Sequence, residues 1–273
     1  MSNPILDYDR FLLGNRLPSQ PLRSGMRHAS FCILPALFLF VRVSGSPEGE
    51  ISEASMQKTV KEKQTVVLVH GQGRTRFSMV ILEKRFASAG FRTANFPYNQ
   101  AIHSLNEISS QLIEFIETKV ETESYHLIGH SLGGILIRDA FRKEYPKGLG
   151  KVIMLSPPNR PAHLAKLLQG NPIYRWMTGD SGQKLSEEAF YETLPVPTVP
   201  FGVIAGDKGQ KLTFNEPNDG VVTVRSTKLE GMADWALLNH GHTFIMNCRD
   251  TFECCLRFIE TTRFLPSEAN ATE

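Results

Sequence analysis

Apolar runs of strand length alternate along the chain with stretches in which apolar residues recur every three or four positions. Thr65-Val66-Val67-Leu68-Val69 is β-branched and apolar without alternation, the pattern of a strand covered on both faces. A helix is predicted over 78–89, stopped by Gly90. Residues 91–96 read as a second strand, closed by Pro97. Leu105, Ile108, Leu112, Ile116 and Val120 recur at helical spacing. Tyr125-His126-Leu127-Ile128 begins a third strand, and Ile135-Leu136-Ile137-Arg138-Asp139-Ala140-Phe141 lies in a helix expected to end near Tyr145-Pro146. Strands follow at 151–156 and 201–206, and Phe244, Cys248, Phe252, Cys255 and Ile259 mark a last amphipathic helix. Such alternation predicts an α/β fold, a mostly parallel central sheet wound right-handedly with helices on both faces.

Three regions break the rhythm. Residues 1–63 form an N-terminal extension: a polar, proline- and arginine-containing start, the uncharged run 29–41, and a charged linker. The run is shorter than the ~20 apolar residues that span a bilayer. It reads as a signal peptide starting near Met26, as a membrane-surface anchor, or as a segment packed on the domain. The first two readings favour a secreted, periplasmic or membrane-associated location over the cytoplasm. Residues 159–194 hold Pro161, Pro172, Gly179 and Gly182 between short apolar helical pieces. They follow a strand's C-terminal end, where α/β sheets place their sites, so a small helical cap is expected there, with plain surface helices as the alternative. The domain proper is then 64–264, and 265–273 is a tail.

With 273 residues the chain is long enough for one sizeable domain and an appendage. A net charge of +2 with no long basic run points away from nucleic acid. Cys32, Cys248, Cys254 and Cys255 make no C-x-x-C pair and read as small apolar residues, not as a disulfide frame or metal site.

The chemistry gathers around Gly129-His130-Ser131-Leu132-Gly133-Gly134. Gly-x-Ser-x-Gly between a strand and a helix is a nucleophile elbow, a sharp turn that exposes the Ser131 hydroxyl. Gly129 and Gly133 leave room for the neighbouring strand and helix. Such a serine needs a base, a group to orient it and an oxyanion hole. An elbow of this kind takes its acid and then its histidine later in the chain. His242 directly precedes a helix and is preferred as the base over His240. Asp207, just after a strand, and Asp219, in an Asn-Asp-Gly turn, are equal candidates for the acid on mechanism alone. The oxyanion hole is assigned to the N–H of Leu132, after the nucleophile, and that of Gln72, in the Gly-rich loop after the first core strand. This chemistry requires no cofactor and no metal.

His70-Gly71-Gln72-Gly73, the elbow, Asn218-Asp219-Gly220-Val221-Val222 and His242-Thr243-Phe244 together resemble the α/β-hydrolase superfamily, most of all its bacterial lipase and esterase branch. The resemblance covers about 64–264. It implies an α/β-hydrolase fold, cleavage of carboxylic esters through an acyl-enzyme, Asp219 as the acid and His242 as the base. The expected partner is a small ester or lipid, with membrane contact through 29–41 a further possibility. A thioesterase or acyltransferase would keep the same triad. The reading from another class is a catalytically inactive, membrane-associated binding protein.

Overall fold

In a computed structural model, residues 61–160, 188–210 and 215–266 are described. The apolar segment 29–41, most of the expected cap (161–187) and nearly all of the tail lie outside these residues. Six parallel strands form one sheet in the order β2-β1-β3-β4-β5-β6. They are β1 (Gln64–Val69), β2 (Arg92–Asn95), β3 (Ser124–His130), β4 (Leu149–Leu155), β5 (Phe201–Gly206) and β6 (Asp234–Leu238). Among the described residues the α-helices are α1 (Val80–Ser88), α2 (Leu105–Lys119), α3 (Leu132–Ala140), α4 (Glu188–Thr193), α5 (Val224–Thr227) and α6 (Arg249–Thr261).

The sheet's two faces are sorted by the two-residue period of a strand, although both are buried. Val67, Val69, Leu127, Val152 and Met154 pack on one face with Leu105, Ile108 and Leu112 of α2 and Leu136 of α3. Val66, Leu68, Ile128, Ile153 and Leu155 pack on the other with Leu82 and Phe86 of α1 and Cys255 and Phe258 of α6. A capping box fixes the start of α2: Ser104 accepts from the Glu107 N–H, and Glu107 accepts from the Ser104 N–H.

The chain leaves β1 for β2 on one side and returns to β3 on the other. Helices that depart in opposite directions open a crevice beyond the C-terminal ends of β1 and β3, where ligands bind in open α/β sheets. His70-Gly71 follows β1 there and Ser131 follows β3.

Two local expectations are corrected, and one strand stands where the sequence pattern predicts none. The helix after the elbow ends at Ala140, because Phe141, Arg142 and Lys143 N–H groups bond to carbonyls three residues back and tighten the last turn. Phe244 is not on the last helix: α6 begins at Arg249, and Phe244 is exposed. β6 is a strand the pattern does not reveal, since Asp-Trp-Ala-Leu-Leu on a sheet edge is only partly buried and lacks β-branched residues. Among the described residues no helix is long and apolar enough to cross a membrane.

Candidate active site

Ser131 stands between the last residue of β3 and the first of α3, at φ 53° and ψ −119°. A positive φ is costly for a residue with a Cβ, and the surroundings hold it. Its N–H donates to Leu155 O of β4 at 2.8 Å, and its carbonyl accepts from the Gly134 N–H at 2.9 Å. The two motif glycines are required by close approach. A Cβ on Gly129 would stand 2.6 Å from the Gly133 carbonyl carbon, and one on Gly133 would stand 2.6 Å from His70 O. The elbow is thus packed directly on the end of β1.

Asp219 is buried in the loop between β5 and α5. The local sequence explains its placement. Asn218, also buried, donates from Nδ2 to Gln210 O and Glu216 O and accepts the Gly220 N–H at Oδ1. Gly220 turns the chain at φ 100°. The Val221 and Val222 N–H groups then donate to Asp219 Oδ1 at 3.0 and 2.7 Å. That leaves Oδ2, which lies 2.7 Å from His242 Nδ1. Burial alone would raise the Asp219 pKa. The hydrogen bond and charge of His242, with the Val222 and Val221 N–H groups, outweigh it and hold the carboxyl below the ordinary aspartate range.

His242 follows β6, and its N–H donates to Asp219 O at 2.9 Å. Its Nε2 lies 3.0 Å from Ser131 Oγ. With Nδ1–H donating to the carboxylate, Nε2 carries the lone pair that accepts the Ser131 hydroxyl proton. The structure therefore joins Ser131, His242 and Asp219 in one hydrogen-bonded chain. It places the two alternatives elsewhere. Asp207 accepts from Asn239 Nδ2 at 2.9 Å on the exposed side of the loop. His240 Nε2 meets both Asp250 carboxylate oxygens, at 2.8 and 2.7 Å.

Gln72 lies in the turn after β1 and Leu132 opens α3. The N–H of a first helical residue has no partner within its own helix. The Gln72 loop is anchored by Tyr98, whose ring stacks on His70 with centroids 3.9 Å apart and whose hydroxyl donates to His70 O at 2.7 Å.

Three further side chains support the site; from the sequence His130 reads only as a loop-holding residue beside the motif glycine, and Tyr98 and Arg138 carry no mark. His130 is buried and reaches His242 O with Nε2 at 3.0 Å. Burial, with the charge of His242 next, holds its pKa well below the histidine range, so it stays neutral. Arg138 is buried behind the elbow and donates to Asn159 Oδ1, Leu194 O and Pro195 O. It ties both ends of the 159–194 excursion to α3, and burial lowers its pKa to about 10. Tyr98 is the third. Their signal is tertiary, and no local pattern marks them.

No family model matches the chain, and no curated protein matches it. Solved structures do. Lipase BlEst2 of Bacillus licheniformis, in its mature form, superposes with a TM-score of 0.56 at 18% identity, covering 71% of this chain and 91% of that one. The esterase EaEST of Exiguobacterium antarcticum gives 0.54 at 16% identity, covering 72% and 92%. Tomato methylketone synthase I, complexed with 2-tridecanone, gives 0.50 at 15% identity, covering 72% and 98%. At such identities the likeness is one of fold. The chain has the α/β-hydrolase fold.

Proposed function

We propose that this protein is a serine hydrolase of carboxylic esters. The observation that carries the reading is the chain Asp219 Oδ2–His242 Nδ1 at 2.7 Å and His242 Nε2–Ser131 Oγ at 3.0 Å, ending on a serine at positive φ. His242 takes the Ser131 proton as Oγ attacks the ester carbonyl, and returns it to the leaving alkoxide. Asp219 fixes the His242 tautomer and stabilises the imidazolium. The Leu132 and Gln72 N–H groups receive the oxyanion, each contributing about 3 kcal/mol of barrier lowering. Water activated by His242 then clears the acyl group. The sequence of reactions uses no metal and no cofactor.

Neighbours in fold that bear the names lipase and esterase support an ester as substrate. A thioester or an acyl acceptor other than water would use the same residues. A screen of purified protein across ester and thioester chain lengths, with Ser131→Ala beside it, tests the reading. Turnover of short or medium esters that disappears in Ser131→Ala is the expected result. Turnover of no acyl substrate, or turnover that survives in Ser131→Ala, contradicts it.

A further inference from the structure

Two residues ahead of His242 stands His240, and the start of α6 sets Cys248 and Asp250 against it. One ligand-competent atom from each of the three lies within 4.8 Å of the other two. Cys248 is the residue that precedes the first turn of α6; it is half-buried and not in a disulfide, and its thiol donates to Phe244 O at 3.4 Å. His240 and Asp250 retain side-chain exposures of 24% and 51%, so solvent and small ions reach them. None of the three belongs to the hydrogen-bonded chain at Ser131, and their gathering sets Cys248 apart from its sequence reading as a plain apolar residue.

We propose that His240, Cys248 and Asp250 form a binding site for a divalent cation of borderline softness, with Zn²⁺ the best fit. Imidazole, thiolate and carboxylate are the three donor types zinc takes, at about 2.0–2.3 Å in a tetrahedron. That geometry sets ligand atoms about 3.5 Å apart, within the spread seen here. Binding separates the His240–Asp250 hydrogen bond, with the ring proton moving to Nδ1 so that Nε2 can coordinate. Cys248 gives up its proton to solvent. Thiolate and carboxylate then neutralise the cation, and water fills the fourth position. Mg²⁺ and Ca²⁺ favour all-oxygen shells and do not fit this donor set. Burial, and next the Asp250 carboxylate, raise the Cys248 pKa above the ordinary cysteine value, so loss of its proton counts against binding and makes the site weaker than one closed by four protein ligands.

The ligands bracket the base. His240 precedes His242, and Cys248 and Asp250 follow it, so the cation closes the loop 240–250 that carries His242. The expected consequence is a stiffened loop and a more stable fold. This inference is independent of the reaction assigned to Ser131, and its readouts do not involve turnover.

The test uses the full chain. At Zn²⁺ concentrations a hundredfold above Kd the melting temperature should rise by about 5 °C or more, and equimolar Mg²⁺ should leave it unchanged. Co²⁺ should produce a near-ultraviolet thiolate-to-metal charge-transfer band. Cys248→Ser should remove both the band and the Zn²⁺ shift, Asp250→Asn should weaken binding at least tenfold, and Cys254→Ser should change neither. Melting of each metal-free variant shows that it folds. Absence of the band in the unaltered protein, its survival in Cys248→Ser, or undiminished binding in Asp250→Asn would each overturn the site.

Discussion

The buried imidazole of His130 donates from Nε2 to the backbone carbonyl of His242 across 3.0 Å, linking the residue before the elbow serine to the loop that carries the base. A carbonyl only accepts, so the tautomer of His130 is fixed with its proton on Nε2. Its Nδ1 faces Gly71, where a Cβ would come within 2.7 Å. One ring thus touches both the base loop and the Gly-rich loop after β1.

His130→Ala should therefore lower kcat on the order of 10²-fold, the scale of a 1 Å misplacement of a catalytic group, while KM moves little. Steady-state kinetics on a short ester checks it. A variant that keeps full kcat shows that the His242 loop holds its place without His130.

Asp219→Asn should cost on the order of 10⁴-fold in kcat, because the amide can present its N–H to Nδ1 and favour the wrong tautomer. Asp207→Asn should stay within about twofold, since Asp207 bonds to Asn239 and not to His242. Comparing the two variants on one substrate separates the two acids that mechanism alone left equal.

That ambiguity shows where the sequence stops being readable. The apolar runs of β1, β3, β4 and β5 carry their own signal because both faces of those strands are covered. β6 carries none, because as a partly exposed edge strand it is held by its pairing with β5. Ser131 was legible because its backbone conformation demands glycines at fixed offsets. Asp219 was legible only through its motif, and the physical reason for that motif is Asn218 and Gly220 shaping the turn that presents Oδ2. His130, Tyr98 and Arg138 act through carbonyls far away in sequence, a relationship that no spacing encodes.

Gly133→Ala should destabilise the fold by about 1–3 kcal/mol or more, because the new methyl meets the backbone oxygens of Val69 and His70, which cannot swing aside. Urea unfolding measures it. An unchanged midpoint would mean that α3 is free to move away from β1.

Acid stability should turn in part on His126, one of three buried histidines, with His130 and His70, whose pKa values burial lowers. The His126 Nδ1 accepts the Lys151 N–H at 3.1 Å, and Nε2 donates to Gln64 Oε1 at 3.0 Å. Burial, with the Lys151 charge second, lowers its pKa to about 4. An unfolded histidine titrates near 6.5, so below that pH the unfolded chain binds the extra proton. Stability from this group is complete above pH ~6.5 and is lost as the pH falls toward 4, by about 3 kcal/mol in all. Unfolding free energies at pH 7 and pH 4.5 should show the loss, and His126→Gln should reduce it. An equal loss in that variant would assign the acid sensitivity to other groups.

The most direct measurement on the central claim is covalent labelling of the folded protein by a fluorophosphonate, followed by peptide mass analysis. The account requires a single adduct on Ser131, formed rapidly, much slowed in Asp219→Asn and absent in Ser131→Ala. Folded protein that takes up no label, or label that persists in Ser131→Ala, would contradict it.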